Sequence, residues 1–115
     1  NNRIKGKGIK YENDGSRYEG DWKDDEESGE GTYYFAGGDK YTGHFEHNKF
    51  SGYGTFEIGD KVKNEITNCP GCVVYKGNWE NDQRNGTGAC YDINGKKIYE
   101  GKFMDNKPSG LYPDN

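Results

Sequence analysis

Apolar and polar positions alternate with a period of two over short stretches of this chain. Tyr18, Gly20 and Trp22 are separated by Glu19 and Asp21, so on an extended strand the first three share one face and the two acids take the other. The segment Gly29-x-Gly31-x-Tyr33-x-Phe35 carries the same alternation, with glycines and rings on a single face. Together the two segments form a unit that recurs. Tyr-x-Gly-x-aromatic begins at Tyr18, Tyr41, Tyr75 and Tyr99, and in each copy a glycine follows the aromatic by 7 residues, at Gly29, Gly52, Gly86 and Gly110. The steps between starts are 23, 34 and 24 residues, so the third copy is delayed by an insertion of about Gly59 to Val73. Partial copies stand at both ends, Gly6-Lys7-Gly8 at one and Gly110-Leu111-Tyr112 at the other.

Turn chemistry places hairpins between these segments. Asp14-Gly15, Gly37-Gly38-Asp39 and Asn94-Gly95 each lie between alternating stretches, which predicts hairpins over roughly 6–22, 29–45 and 86–103, with 52–79 a fourth that carries the insertion. Polar reversals of six residues, such as Lys23 to Ser28 and Glu46 to Ser51, would join successive hairpins as antiparallel neighbours. A glycine inside a strand weakens it unless something approaches the backbone there, so a ring from a neighbouring strand is expected over each bare Cα, Gly43 included. No helical pattern of adequate length is present. The predicted fold is all-β: an elongated, single-layer antiparallel sheet of consecutive β-hairpins, each depending on its neighbours.

Composition changes the picture in one respect. The chain has 115 residues, of which only 29% are hydrophobic and 31% charged, yet it holds ten Tyr, five Phe and two Trp. Stability therefore has to rest on rings, which bury far more area per residue than aliphatic side chains. A net charge of −4 disfavours a duplex nucleic-acid binder, whose affinity comes from neutralising phosphates. Three cysteines are too few and too odd in number for a disulfide framework, which points to a reducing compartment and a cytoplasmic location. There is no run of 18 apolar residues, and Asn1-Asn2-Arg3-Ile4-Lys5 lacks the apolar core of a signal peptide.

Tyr-x-Gly-x-Trp/Phe followed by Gly-x-Gly at a step near 23 residues resembles the MORN repeat (membrane occupation and recognition nexus), over about Gly6 to Gly110. The resemblance implies hairpins stacked into a twisted one-layer sheet with a groove on one face. It also implies a scaffold that binds proteins, often as a dimer and often at the cytoskeleton or membrane periphery, with catalysis left to other domains where there is any. Where the family usually has glycine three residues after the strand aromatic, this chain has Asp25, Asn48, Asp82 and Asn106. Asp and Asn tolerate positive φ best among the other residues, so the turn is expected to survive.

Rings on a one-layer sheet are partly exposed, and such a patch marks a partner site. Trp22, Tyr33, Phe35, Phe45, Phe56, Trp79 and Phe103 are the candidate groove, for a protein segment or a second copy of the chain. Tyr34, Tyr53 and Tyr91 fall on the opposite face. Arg3, Lys5, Lys7 and Lys10, with no acid before Glu12, are the candidate contact for anionic phospholipid, although no amphipathic helix or aliphatic wedge accompanies them.

No catalytic constellation stands out. Cys69-Pro70-Gly71-Cys72 lacks the βαβ setting and helix N-terminus of a redox dithiol, and it reads as a Pro-Gly turn with two incidental thiols at the tip of the insertion. A zinc site from Cys69 and Cys72, completed within the chain or shared between two chains, is the alternative, since zinc wants four ligands. Cys90 stands where Tyr33 and Phe56 stand in earlier copies and reads as a packing residue. His44 and His47 have no nucleophile partner, and Asp24-Asp25-Glu26-Glu27 lacks the spacing of a calcium loop. Neither an enzyme activity nor a cofactor is expected.

Overall fold

A computed structural model describes residues 6–109. Nine strands form one antiparallel sheet in strict chain order: β1 (Gly6–Tyr11), β2 (Arg17–Lys23), β3 (Glu26–Tyr34), β4 (Lys40–Glu46), β5 (Lys49–Glu57), β6 (Val74–Glu80), β7 (Gln83–Tyr91), β8 (Lys97–Met104) and β9 (Lys107–Pro108). Among the described residues there is no helix, hence none long and apolar enough to cross a membrane. The strip measures 57 × 26 × 19 Å.

The repeat's glycines explain the register. Gly8, Gly20, Gly31, Gly43, Gly54, Gly77, Gly88 and Gly101 pair in succession, one per strand from β1 to β8, and form a single row across the sheet. The tyrosine that opens each repeat lies along this row. A Cβ added at Gly31 would stand 2.5 Å from the Tyr18 hydroxyl and 2.6 Å from its ring. Tyr41 covers Gly54 and Tyr75 covers Gly88 in the same way. Each hydroxyl then reaches past the glycines to a backbone carbonyl: Tyr18 donates to Asp21 at 2.7 Å, Tyr41 to His44 at 2.8 Å, Tyr75 to Asn78 at 2.7 Å and Tyr99 to Lys102 at 2.8 Å.

The expectation of a ring over every glycine needs refinement. Gly20, Gly43 and Gly77 face the backbone of their partner glycine first, with a Cβ at Gly43 falling 2.5 Å from the Gly54 Cα and 2.6 Å from the Tyr53 carbonyl. The glycines of the row therefore do two different things, some admitting a ring and others letting two backbones converge beside a bulge.

The six-residue polar reversals do not exist as loops. β2 runs to Lys23 and β3 begins at Glu26, so the reversal is two residues, and the same holds at 47–48, 81–82 and 105–106. Both central residues have positive φ in all four turns: 51° and 70° at Asp24 and Asp25, 52° and 67° at His47 and Asn48, 51° and 68° at Asn81 and Asp82, 51° and 71° at Asp105 and Asn106. That is type I′ geometry, whose twist matches the flanking strands, and Asp and Asn, with His47 at one position, supply it without glycine.

These turns also fasten one hairpin to the next. Asn48 Oδ1 accepts the Glu27 amide at 2.8 Å while the Asn48 amide donates to the Glu27 carbonyl at 3.1 Å. Asp82 holds Phe50 and Asn106 holds Arg84 through the same pair of bonds. At Asn48, Asp82 and Asn106 the side chain that replaces the family's glycine is thus a clamp between repeats.

Candidate functional site

The ring-bearing face of the sheet contains both the core and a pocket, and the two share one ring, Trp79. Trp22, Tyr18, Phe45, Tyr41, Trp79, Tyr75, Phe103 and Tyr99 touch edge to face in that order, with centroids 4.8–5.4 Å apart and planes 80–90° to each other. Such contacts add about 0.5–1.5 kcal/mol per pair beyond area burial. All eight are buried. Burial also pushes the Tyr18, Tyr41 and Tyr75 phenols up, so they remain neutral donors.

Of the seven rings expected to line a groove, Trp22, Phe45, Trp79 and Phe103 are core residues, between 1% and 8% exposed, and of these Trp79 also borders the pocket. Phe45, Trp79 and Phe103 each lie between two tyrosines of the row, and Trp22 lies against Tyr18. Tyr33, Phe35 and Phe56 are half-buried and border a concave pocket of about 960 Å³. Phe50 joins them, stacked on Tyr41 with centroids 3.9 Å apart. Phe35 meets Tyr33 at 4.8 Å and Phe56 at 5.7 Å, so these rings form one continuous patch.

Phe50 was not visible in the repeat pattern because its position changes type. The residue facing the strand aromatic across each type I′ hairpin is Glu27, Phe50, Arg84 and Pro108 in turn. Glu27 and Arg84 are buried beside the pocket. Burial pushes the Glu27 carboxyl up to about 7, with Glu12 and Asp82 adding to the shift and Lys10 opposing it. Arg84 donates through Nη2 to the Thr67 carbonyl at 2.7 Å and through Nε to Asn106 at 3.3 Å, while its Nη1 has no hydrogen-bond partner among the described residues.

The pocket's far wall is the insertion. Residues 58–73 fold back onto the sheet, tied by the Ile58 amide to the Val73 carbonyl and the Val73 amide to the Tyr91 carbonyl, both at 2.9 Å. Ile58 and Ile66 are buried against the rings. Around the pocket, Glu12, Glu27, Asp39, Glu65 and Asp82 outnumber Lys10 and Arg84, so its rim is acidic.

The thiols differ most from expectation. Cys69 and Cys72 are 1% and 0% exposed, not surface thiols at a loop tip. Pro70 and Gly71, the latter at φ 77°, close a turn whose Cys72 amide donates to the Cys69 carbonyl at 3.0 Å, and this turns both sulfurs inward toward Cys90. The sulfur contact with Cys69 pushes the Cys72 thiol up to about 12 and raises Cys90 as well, the reverse of an activated nucleophile.

The basic cluster is divided. Arg3 and Lys5 lie outside the described residues. Lys7 pairs with Asp21 at 2.6 Å, and Lys10 with Glu12 at 3.6 Å. Separated by three positions on β1, Lys7 and Lys10 project from opposite faces of the strand. On the face opposite the ring row, Arg17 stacks on Tyr34 at 3.9 Å, Lys76 lies 5.2 Å from the Tyr91 ring, and Tyr53 is exposed. His44 and His47 sit at the surface beside Glu30 and Glu26.

Residues 18–40, 41–61, 75–97 and 99–111 each match the family model described as MORN repeat. No curated protein matches the chain.

Proposed function

Because the chain belongs to the MORN-repeat family, whose repeats are non-catalytic modules for contact with proteins and membranes, we propose that it is an interaction module whose concave aromatic pocket receives a protein segment bearing basic and apolar side chains. The observation that carries this reading is the half-buried patch of Tyr33, Phe35, Phe50 and Phe56 inside an acidic rim. Rings that are rigid and already packed lose little entropy on binding, and the acids would steer a cationic segment toward them. A second copy of the chain suits the pocket less well, since two acidic rims would face each other. Anionic lipid is also a poorer fit, because Lys7 and Lys10 are ion-paired and point to opposite faces.

The test is an affinity capture that compares the wild-type chain with Phe35→Ala/Phe56→Ala, two changes outside the buried ring row. A protein retained by the wild type and lost from a variant that keeps its circular dichroism supports the pocket. Salt-sensitive binding to phosphatidylserine vesicles that the double variant leaves intact would favour the lipid reading instead.

A further inference from the structure

Cys69 and Cys72 come from the insertion and Cys90 from β7, some 18 residues further on. Their three Sγ atoms all lie within 4.8 Å of one another and all three residues are buried. They carry thiols, not disulfides. The local backbone is built for this convergence. The Pro70-Gly71 turn aims Cys69 and Cys72 the same way, and the Cys72 thiol donates to the Val74 carbonyl at 3.2 Å, at the point where the insertion re-enters the sheet. Cys90 pairs with Tyr75 as Tyr33 pairs with Tyr18 and Phe56 with Tyr41. A ring has therefore been replaced by a small sulfur ligand in the one repeat that the insertion's cysteines reach.

We propose that Cys69, Cys72 and Cys90 form a three-thiolate site for a single soft metal ion, with monovalent copper the preferred occupant, and that the ion fastens the insertion to the third repeat. Thiolate ligands select thiophilic ions such as Cu(I) and zinc over hard cations. At a metal–sulfur distance of about 2.3 Å, three sulfurs around one ion stand about 4 Å apart, so the observed cluster needs only a small contraction. Zinc asks for four ligands in a closed structural site. The described residues bring no histidine or carboxylate to this cluster, and its burial offers no place for a water-derived fourth ligand. Each thiol releases its proton to solvent as its sulfur binds, with no change in the oxidation state of sulfur or metal.

The test uses the full 115-residue chain, reduced and kept anaerobic, titrated separately with Cu(I) and Zn(II). One equivalent of Cu(I) is expected to give a thiolate charge-transfer band and to survive a competing copper(I) chelator. Even changes to groups that only support a metal's ligands weaken binding by about tenfold or more, so Cys69→Ser, Cys72→Ser and Cys90→Ser should each lower retention by at least that factor. Cys90→Ala, checked for folding by circular dichroism, should also lose the rise in melting temperature that Cu(I) gives the wild type. Binding by Cys90→Ser equal to wild type would mean that the Cys69/Cys72 pair alone holds the metal and would overturn the site. So would failure to retain Cu(I). Zinc held in preference to copper would overturn the three-coordinate assignment.

Discussion

Gly43 and Glu27 are positions where the surroundings decide what a side chain can be. At Gly43 an added Cβ meets main-chain atoms of Gly54 and Tyr53, which cannot rotate away as a side chain could. Gly43→Val should therefore destabilise by at least the about 1–3 kcal/mol usual for overpacking, read as a lower urea midpoint; an unchanged midpoint would contradict the glycine row. Glu27 illustrates a polar cost. Its carboxyl rises from an ordinary 4.5 to about 7 in the folded chain, so between these pH values the unfolded chain is ionised while the folded one holds its proton. Rising pH through that window must weaken the fold, whereas below it both states are protonated and nothing changes. Relative to the wild type, Glu27→Gln should accordingly leave stability unchanged below about pH 4.5 and raise it above about pH 7. Melts of both proteins across that range would check it, and a pH-independent gap would show that the carboxyl is not perturbed.

At the scale of the hairpin, the second turn residue does two things that glycine can only half replace. Asn48→Gly keeps a residue suited to φ 67° but removes the Oδ1 that accepts the Glu27 amide. If the residue served the turn alone, the change would be neutral or stabilising; because it also clamps the previous hairpin, a loss of about 0.5–1.5 kcal/mol is expected in thermal or urea unfolding. This dual role marks where sequence reading stopped. Positive φ at Asp25, Asn48, Asp82 and Asn106 follows from the glycine that the family has at these positions together with the tolerance of Asp and Asn for it, and alternation places the strands. Strand ends at Lys23 and Glu26 do not follow, because polar residues at an I′ turn look like loop until the clamp's hydrogen bonds are seen. Cys90 was legible as a small residue in a ring position, but its neighbours across the fold depend on a 16-residue insertion with no period to read.

Over the whole molecule, the strip and its order of strands follow from the repeat, while the division of its rings does not. Trp22 and Phe35 look alike in sequence, but Trp22 lies within β2 and is buried in the edge-to-face row, whereas Phe35 lies one residue beyond the end of β3 and stands beside the pocket. The strict order β1 to β9 has a mechanical consequence. In the ladder every strand pairs only with its neighbours in the chain, so tension applied between residues 6 and 109 loads the rows of hydrogen bonds in series rather than in shear. Strands should peel away singly, from whichever end is weaker. With each repeat of about 23 residues releasing roughly 70 Å of extended chain, single-molecule stretching should record a train of small, low-force steps, and one abrupt high-force rupture would contradict it. A module of this kind yields gradually under load, as a zip does, and closes again from whatever hairpins are still intact.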